Sequence, residues 1–401
     1  MSASPHTTAE TPFDADVFGA DLPGAAALFS PEVLASGVEG APGPISVTYL
    51  RPKPSVSLTA AVRTSQGLAM AYAVAEGAAA KLEKLVLKAP PGTLLHHDPV
   101  RRWALVRPEA DRDLPGIARL TGARTPADES SAHEPSAYEP LTYKPQRRWV
   151  ATRADGGGDE GAGQIVRCYR KAELEAISAR WPDATNADLV SDVTGERLRL
   201  PTVLTSSRKW GTLTTSRVPG TALAADGGGR IEIMERVGRA LAAWHRLPAP
   251  PHTTTPGIGM DTGRSLRRLL PDLHQRVDEL EARLLALPPA PSQHVVWCHG
   301  DFSADQVLVD RHGDISLIDW DRSGAGPRST DLAVADAAGM DPEAYNALLT
   351  GYTQLAPLPS DLTAARALAC WSRAVDPFRQ ADPHWAHHIE DRLDHIEELL
   401  G

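Results

Sequence analysis

Cysteine, excess positive charge and long apolar runs are all scarce in this chain. Its three cysteines, Cys168, Cys298 and Cys370, stand far apart with no metal-type spacing. That argues against a disulfide framework and for a reduced, cytoplasmic setting. No run of about 18 apolar residues occurs, so no membrane-spanning helix is expected. The opening MSASPHTTAETPFDAD has no basic stretch followed by an apolar one, and predicts no secretory signal. A net charge of -10 leaves no basic face of the kind that nucleic-acid binding needs. The acidic surplus tolerates a cationic small molecule, but first of all it serves solubility. What is present, 42% hydrophobic and 23% charged residues over 401, is the make-up of a globular protein of two to three structural units.

Residues 1–20 are polar and aperiodic and read as a disordered tail. Residues 21–124 read as a β-rich subdomain. ISVTYLRPKPSVSLTAAVRT is strand, Pro-containing turn, strand; LAMAYAV is a third strand. An alanine-rich helix near Glu76 and short strands at 82–88 and 103–107 follow. Residues 125–140, rich in Pro, Ser and Glu, read as a linker. Within 141–223 a similar pattern restarts: strand, basic turn Lys144–Arg148, strand, glycine-rich turn, strand QIVRCYR, helix. The likeness of TYLRPKPSVSLTAAVR to LTYKPQRRWVATR is a weak internal repeat or two unrelated meanders, and two copies favour the latter. Residues 224–401 are mainly helical. Ile233, Val237, Leu241 and Trp244 share one helical face, and a later helix starts or kinks at Pro271.

The chemistry-bearing stretch runs from Val295 to Ala333. VVWC delivers His299-Gly300-Asp301 into a loop, and VLVD and ISLIDW form a hairpin closed by Arg311-His312-Gly313-Asp314. That hairpin brings Asp301, Gln306 and Asp319 toward common strand ends. Two carboxylates and an amide oxygen suit a hard cation such as Mg²⁺, which in turn suits a polyphosphate.

HGDFSADQ followed by IDWD resembles the H-G-D-x-x-x-x-N and I-D-x-[DEG] pattern of the aminoglycoside phosphotransferase and choline kinase group, within the protein-kinase-like superfamily. The resemblance spans roughly residues 141–401. It implies an α+β, bilobal protein-kinase-like fold, with a β-rich N-terminal lobe, an extra N-terminal subdomain and a mainly helical C-terminal lobe. It implies a small-molecule kinase using ATP and Mg²⁺ on a small hydroxylated substrate, with Asp301 as base and His299 bracing its loop. Asp319 is the implied metal ligand, Gln306 stands where the group has asparagine, and Asp331 is structural.

On the nucleotide side, Arg167 stands where the group has lysine, with Lys171 as the alternative and Glu173 or Glu175 as its acidic partner. Lys144 and Arg147 lie on a turn without the glycines of a protein-kinase loop; they meet phosphates there or are simply solvated. LTTSRVPGTAL resembles the hinge, with the backbone of Ser216 and Val218 toward adenine. His245 is expected to be packed. The N-terminal segment resembles the extra subdomain of maltokinase-like proteins. Trp371, Asp376, Arg379 and Trp385 are candidate acceptor contacts, since aromatic faces beside carboxylates suit sugars. The competing readings are a maltokinase- or glucosamine-kinase-type sugar kinase, and a pseudokinase that binds nucleotide without turnover.

Overall fold

The computed structural model describes residues 21–36, 45–53, 55–123, 138–153, 163–224, 227–228, 230–251, 253–254, 262–288 and 295–401. The expected tail and the linker up to residue 137 lie outside them. The chain divides into two compact units. One comprises Met1–Ser136, Tyr143–Arg147 and Asp376–His388; the other comprises Ala137–Thr142, Arg148–Val375 and Ile389–Gly401.

Two short helices, α1 (Ala25–Phe29) and α2 (Pro31–Ser36), precede β1 (Ser46–Lys53), β2 (Ser57–Thr64) and β3 (Gly67–Val74). Then come α3 (Ala79–Lys88), β4 (Leu94–Asp98), β5 (Trp103–Val106) and α4 (Gly116–Thr121). The strands form an antiparallel sheet in the order β1-β2-β3-β5-β4. β2 and β3 are buried on both faces over most of their length, by mostly small side chains that include the polar Ser57, Thr59 and Thr64. Residues 82–88, expected as a strand, belong to α3. Leu82 and Leu85, three apart, are buried on one side while Leu87 is 83% exposed, which is helical and not alternating spacing.

The second sheet holds β6 (Tyr138–Lys144), β7 (Arg148–Arg153), β8 (Gln164–Tyr169), β10 (Val203–Ser207) and β11 (Thr212–Ser216). Between β8 and β10 lie α5 (Lys171–Ser178), α6 (Ala184–Thr194) and the two-residue β9 (Leu198–Arg199). Its order is β10-β11-β8-β7-β6. Read from β6, this is a three-strand meander, then helices, then a hairpin whose last strand returns beside the third. The first sheet has the same topology, so the pair expected to be unrelated meanders shares one strand plan.

β12 (Thr221–Ala222), α7 (Ile231–Trp244), α8 (Thr262–Leu269) and α9 (His274–Leu285) lead to the motif region. Pro271 separates α8 from α9, as a missing N–H inside a helix requires. There β13 (Val295–Cys298) pairs with β16 (Gly324–Pro327), and β14 (Val307–Val309) with β15 (Ile315–Leu317). Helices α10 (Ser329–Ala337), α11 (Pro342–Thr353), α12 (Leu362–Arg373), α13 (Asp376–Arg379) and α14 (Trp385–Leu400) complete the chain.

In the second unit the core gathers on Trp244, whose ring lies 4.6 Å from Trp297 and 4.4 Å from Trp320. α7 and α11 cross through Gly238 and Gly351. A Cβ at Gly238 would come 2.1 Å from the Leu348 carbonyl oxygen, and one at Gly351 1.8 Å from that of Glu235. Only glycine permits this approach.

Candidate active site

β13 carries the chain into His299-Gly300-Asp301, where Gly300 takes φ +82. The loop is clasped from below by Asp331, fully buried on the first turn of α10. Its carboxylate accepts from the backbone N–H of His299 (2.8 Å) and of Gly300 (2.7 Å). His245 Nε2 lies 3.0 Å from the same carboxylate, and its Nδ1 lies 2.9 Å from the Tyr352 hydroxyl. Burial opposes the charge on Asp331, but the hydrogen bond from His245 and the nearby ring of His299 hold its carboxyl below the usual range. His299, also buried, donates from Nε2 to the Ile318 carbonyl at 2.8 Å. One hydrogen bond thus joins the loop bearing Asp301 to the strand end bearing Asp319. Asp301 itself is 30% exposed; its Oδ1 accepts from Arg373 and lies 3.7 Å from Arg322 Nη1.

Asp319 follows β15 in the left-handed conformation, φ +66, a strained choice for aspartate. Arg148 Nη1 donates to both its oxygens, at 2.7 and 3.0 Å, and to Asp321 Oδ2 at 2.7 Å. Asp321 is further held by the Tyr169 hydroxyl at 2.7 Å and by Trp181 Nε1 at 3.3 Å. Arg167 donates to Thr215 Oγ1 at 3.0 Å and lies 4.7 Å from the centroid of the Trp181 ring. Burial raises the carboxyl of Asp319, but Arg148 and then Arg167 outweigh it and hold the group ionised, well below its usual value. Sheet register explains the assembly. Arg148 sits opposite Tyr169, and Val150 opposite Arg167, so Arg148, Tyr169 and Arg167 share one face.

The Gln306 carbonyl accepts from the Ile318 N–H at 3.1 Å, so Gln306 and Asp319 lie at the same end of the β14–β15 hairpin. Asp319, held ionised, is a hard donor of the kind a divalent cation takes, and Gln306 stands at the same hairpin end; Arg148 now occupies both Asp319 oxygens and would have to yield one to such an ion.

A model of the phosphotransferase enzyme family matches residues 145–368. The chain belongs to that family. Similar solved structures include a choline/ethanolamine kinase family protein from Mesorhizobium loti, at 17% identity over 72% of this chain and 95% of that one, TM-score 0.46. Another is choline kinase LicA from Streptococcus pneumoniae, at 14% identity over 66% and 92%, TM-score 0.44. A third is macrolide 2'-phosphotransferase MphH from Brachybacterium faecium, at 16% identity over 64% and 91%, TM-score 0.40. No curated protein matches this chain. The phosphotransferase has the expected α+β architecture, β-rich toward the N-terminus and helical toward the C-terminus. No helix among its described residues is long and apolar enough to cross a membrane.

Of the two cations weighed for the nucleotide in this phosphotransferase, Arg167 is the one turned inward; Lys171 Nζ lies 5.9 Å from the centroid of the Trp210 ring. Neither expected acidic partner meets Arg167, because Glu173 accepts from Arg170 and Glu175 from Arg208. Lys144 and Arg147 sit on the β6–β7 turn, which groups with the first unit. There Lys144 Nζ lies 6.0 Å from the centroid of the Tyr49 ring, and Arg147 Nη1 lies 3.5 Å from the Tyr49 hydroxyl. Gln146, at φ +60, fixes this turn by donating its N–H to Asp111 at 2.7 Å. The Ser216 N–H is already committed to the Thr202 carbonyl at 2.8 Å, and Val218 is buried just beyond.

Among the acceptor candidates, Trp371 is wholly buried, so its ring serves the core and offers no face to a sugar. Asp376 pairs with Arg379 at 3.1 Å, and Trp385 packs edge-on to Phe378. Asp376, Arg379 and Trp385 belong to the first unit. Sequence reasoning had Arg148 only as turn charge and Tyr169 and Asp321 only as members of QIVRCYR and IDWD, with no role for any of the three, and it passed over Trp181. The available signal was the two-residue spacing of Arg167 and Tyr169 on a strand.

Proposed function

We propose that this phosphotransferase moves the γ-phosphate of ATP to a hydroxyl of a small molecule by direct in-line transfer. The observation that carries this reading is the hydrogen bond from His299 to Ile318, which fixes the Asp301 loop against the strand end of Asp319. Asp301, partly exposed, orients the acceptor hydroxyl and takes its proton. Asp331 and His245 keep the loop backbone in place while this happens. Arg148 and Arg167 share one sheet face and supply cations for the phosphates. Asp319 and the Gln306 amide would hold Mg²⁺, which when bound neutralises charge on the phosphates. In a phosphate-transfer assay, Asp301→Asn should lower kcat by at least about 100-fold and leave ATP affinity within about twofold. Unchanged turnover would remove Asp301 from the mechanism.

A second reading, nucleotide binding without turnover, is favoured by one observation: Arg148 already occupies both oxygens of Asp319. Mg²⁺-dependent hydrolysis of ATP separates the two. Hydrolysis that Asp301→Asn abolishes supports the kinase; nucleotide binding with no hydrolysis and no transfer supports the second reading.

A further inference from the structure

The two carboxylates of the site differ in their balance of charge. Asp319 and Asp321 together face Arg148, with Arg167 beside them, so two acids meet two bases. Around Asp301 the count is different. Arg373, the last residue of α12, donates to Oδ1, and Arg322 Nη1 lies 3.7 Å from the same oxygen. Among the described residues Asp301 is the only acid with which either arginine pairs. Asp321, next in the chain to Arg322, faces the other way, into the Arg148 cluster. Two cations therefore share one anion. They do so where water and ligands reach: the side chains of Arg373, Arg322 and Asp301 are 22%, 47% and 30% exposed.

Catalysis sharpens the imbalance. Both arginines meet Asp301 at Oδ1, and a proton taken from the acceptor hydroxyl cancels the charge that they share. With Asp301 protonated, Arg373 and Arg322 need another anion, and the planar fork of arginine matches a carboxylate or a phosphate.

We infer that the acceptor of this phosphotransferase is itself an anion: a hydroxylated small molecule with a carboxylate or phosphate group held by Arg373 and Arg322 while its hydroxyl faces Asp301. This rests on the kinase reading above. In the step, the hydroxyl oxygen forms a bond to the γ-phosphorus of ATP. The bond from that phosphorus to the bridging oxygen breaks, ADP leaves with the electron pair, and the hydroxyl proton passes to Asp301. The same excess charge disfavours an acceptor whose amine is protonated.

Two measurements test this. The first fills the nucleotide site with ADP and Mg²⁺ and follows the melting temperature as sulfate replaces chloride at constant ionic strength. Stabilisation by sulfate in the wild type, lost in Arg373→Gln and in the more exposed Arg322→Gln, supports the anion site. No stabilisation, or the same stabilisation in all three proteins, overturns it.

The second measures phosphate transfer from Mg-ATP to glucose, glucosamine, glucuronate and glucose 6-phosphate. Preference for either acid supports the inference, and which acid is preferred tells carboxylate from phosphate. Arg373→Gln should then raise KM for that acid about 10- to 100-fold, as loss of a charged hydrogen bond predicts, with KM for ATP within about twofold. Preference for glucose or glucosamine overturns the inference and leaves the kinase reading standing. Absence of both nucleotide binding and ATP hydrolysis would instead overturn the kinase reading, and this inference with it.

Discussion

The two five-stranded sheets of this protein share a strand plan and differ in what their central strands carry. Each is a meander, a helical insertion and a returning hairpin. Each first turn holds a residue in the left-handed region, Ser55 in one and Gln146 in the other. Counting two residues on, Ser57 opposes Val74 in the first sheet, and Arg148 opposes Tyr169 in the second. Two positions before these partners stand Tyr72 and Arg167. The first sheet thus has Ser, Val and Tyr where the second has Arg, Tyr and Arg. One arrangement of strands carries uncharged side chains at these positions in the first sheet and cations facing acidic groups in the second.

The largest expected effect comes from removing the charge that sets the second sheet apart. Arg148→Met leaves Asp319 and Asp321 without their shared cation, and should destabilise the protein by about 3–5 kcal/mol in urea unfolding. A loss below about 1 kcal/mol would mean the cluster is as well solvated as a surface pair, and the contrast between the sheets would fall. Next is Tyr169→Phe, which takes one hydrogen bond from a buried carboxylate and should cost about 1.5–3 kcal/mol by the same measurement. At the matching place in the first sheet, Ser57→Ala should stay within about 1 kcal/mol, because a small hydroxyl there carries no charge. A larger loss would show that the first sheet hides a polar dependence of its own.

The smallest effect lies outside both sheets. His395 is pushed up to about 10, first by its hydrogen bond to Asp336, so its folded value exceeds its unfolded one. The stability it contributes is complete below about pH 6.5 and lost as pH rises toward 10. Melting temperatures between those values should fall more steeply in the wild type than in His395→Gln. Parallel curves would remove this pair from the account.

What the sequence revealed follows the distance between the residues concerned. The β14–β15 hairpin and the loop of Asp301 were legible because strand, turn and strand lie within a short stretch. The meanders were legible through alternation and turn residues. Arg148 was not, since a cation at the start of a strand looks like turn charge until its partner, 171 residues on, is known. Arg373 belongs with Asp301 across 72 residues for the same reason. Trp371 failed as an acceptor contact because an aromatic among charges on a helix reads equally as ligand platform or core. Residues 82–88 failed because leucine, valine and lysine there suit either period until burial shows which face is covered.

The glycine crossing of α7 and α11 bears on the chemistry from a distance. His245 caps the C-terminal end of α7, and Tyr352 lies near the end of α11; together they form the footing of the Asp331 clasp. The spacing of that footing is set by two missing methyl groups, at Gly238 and Gly351. Alanine scanning for a more rigid helix would find two inviting glycines here. It would wedge the helices apart and shift the foundation on which the reactive loop is registered.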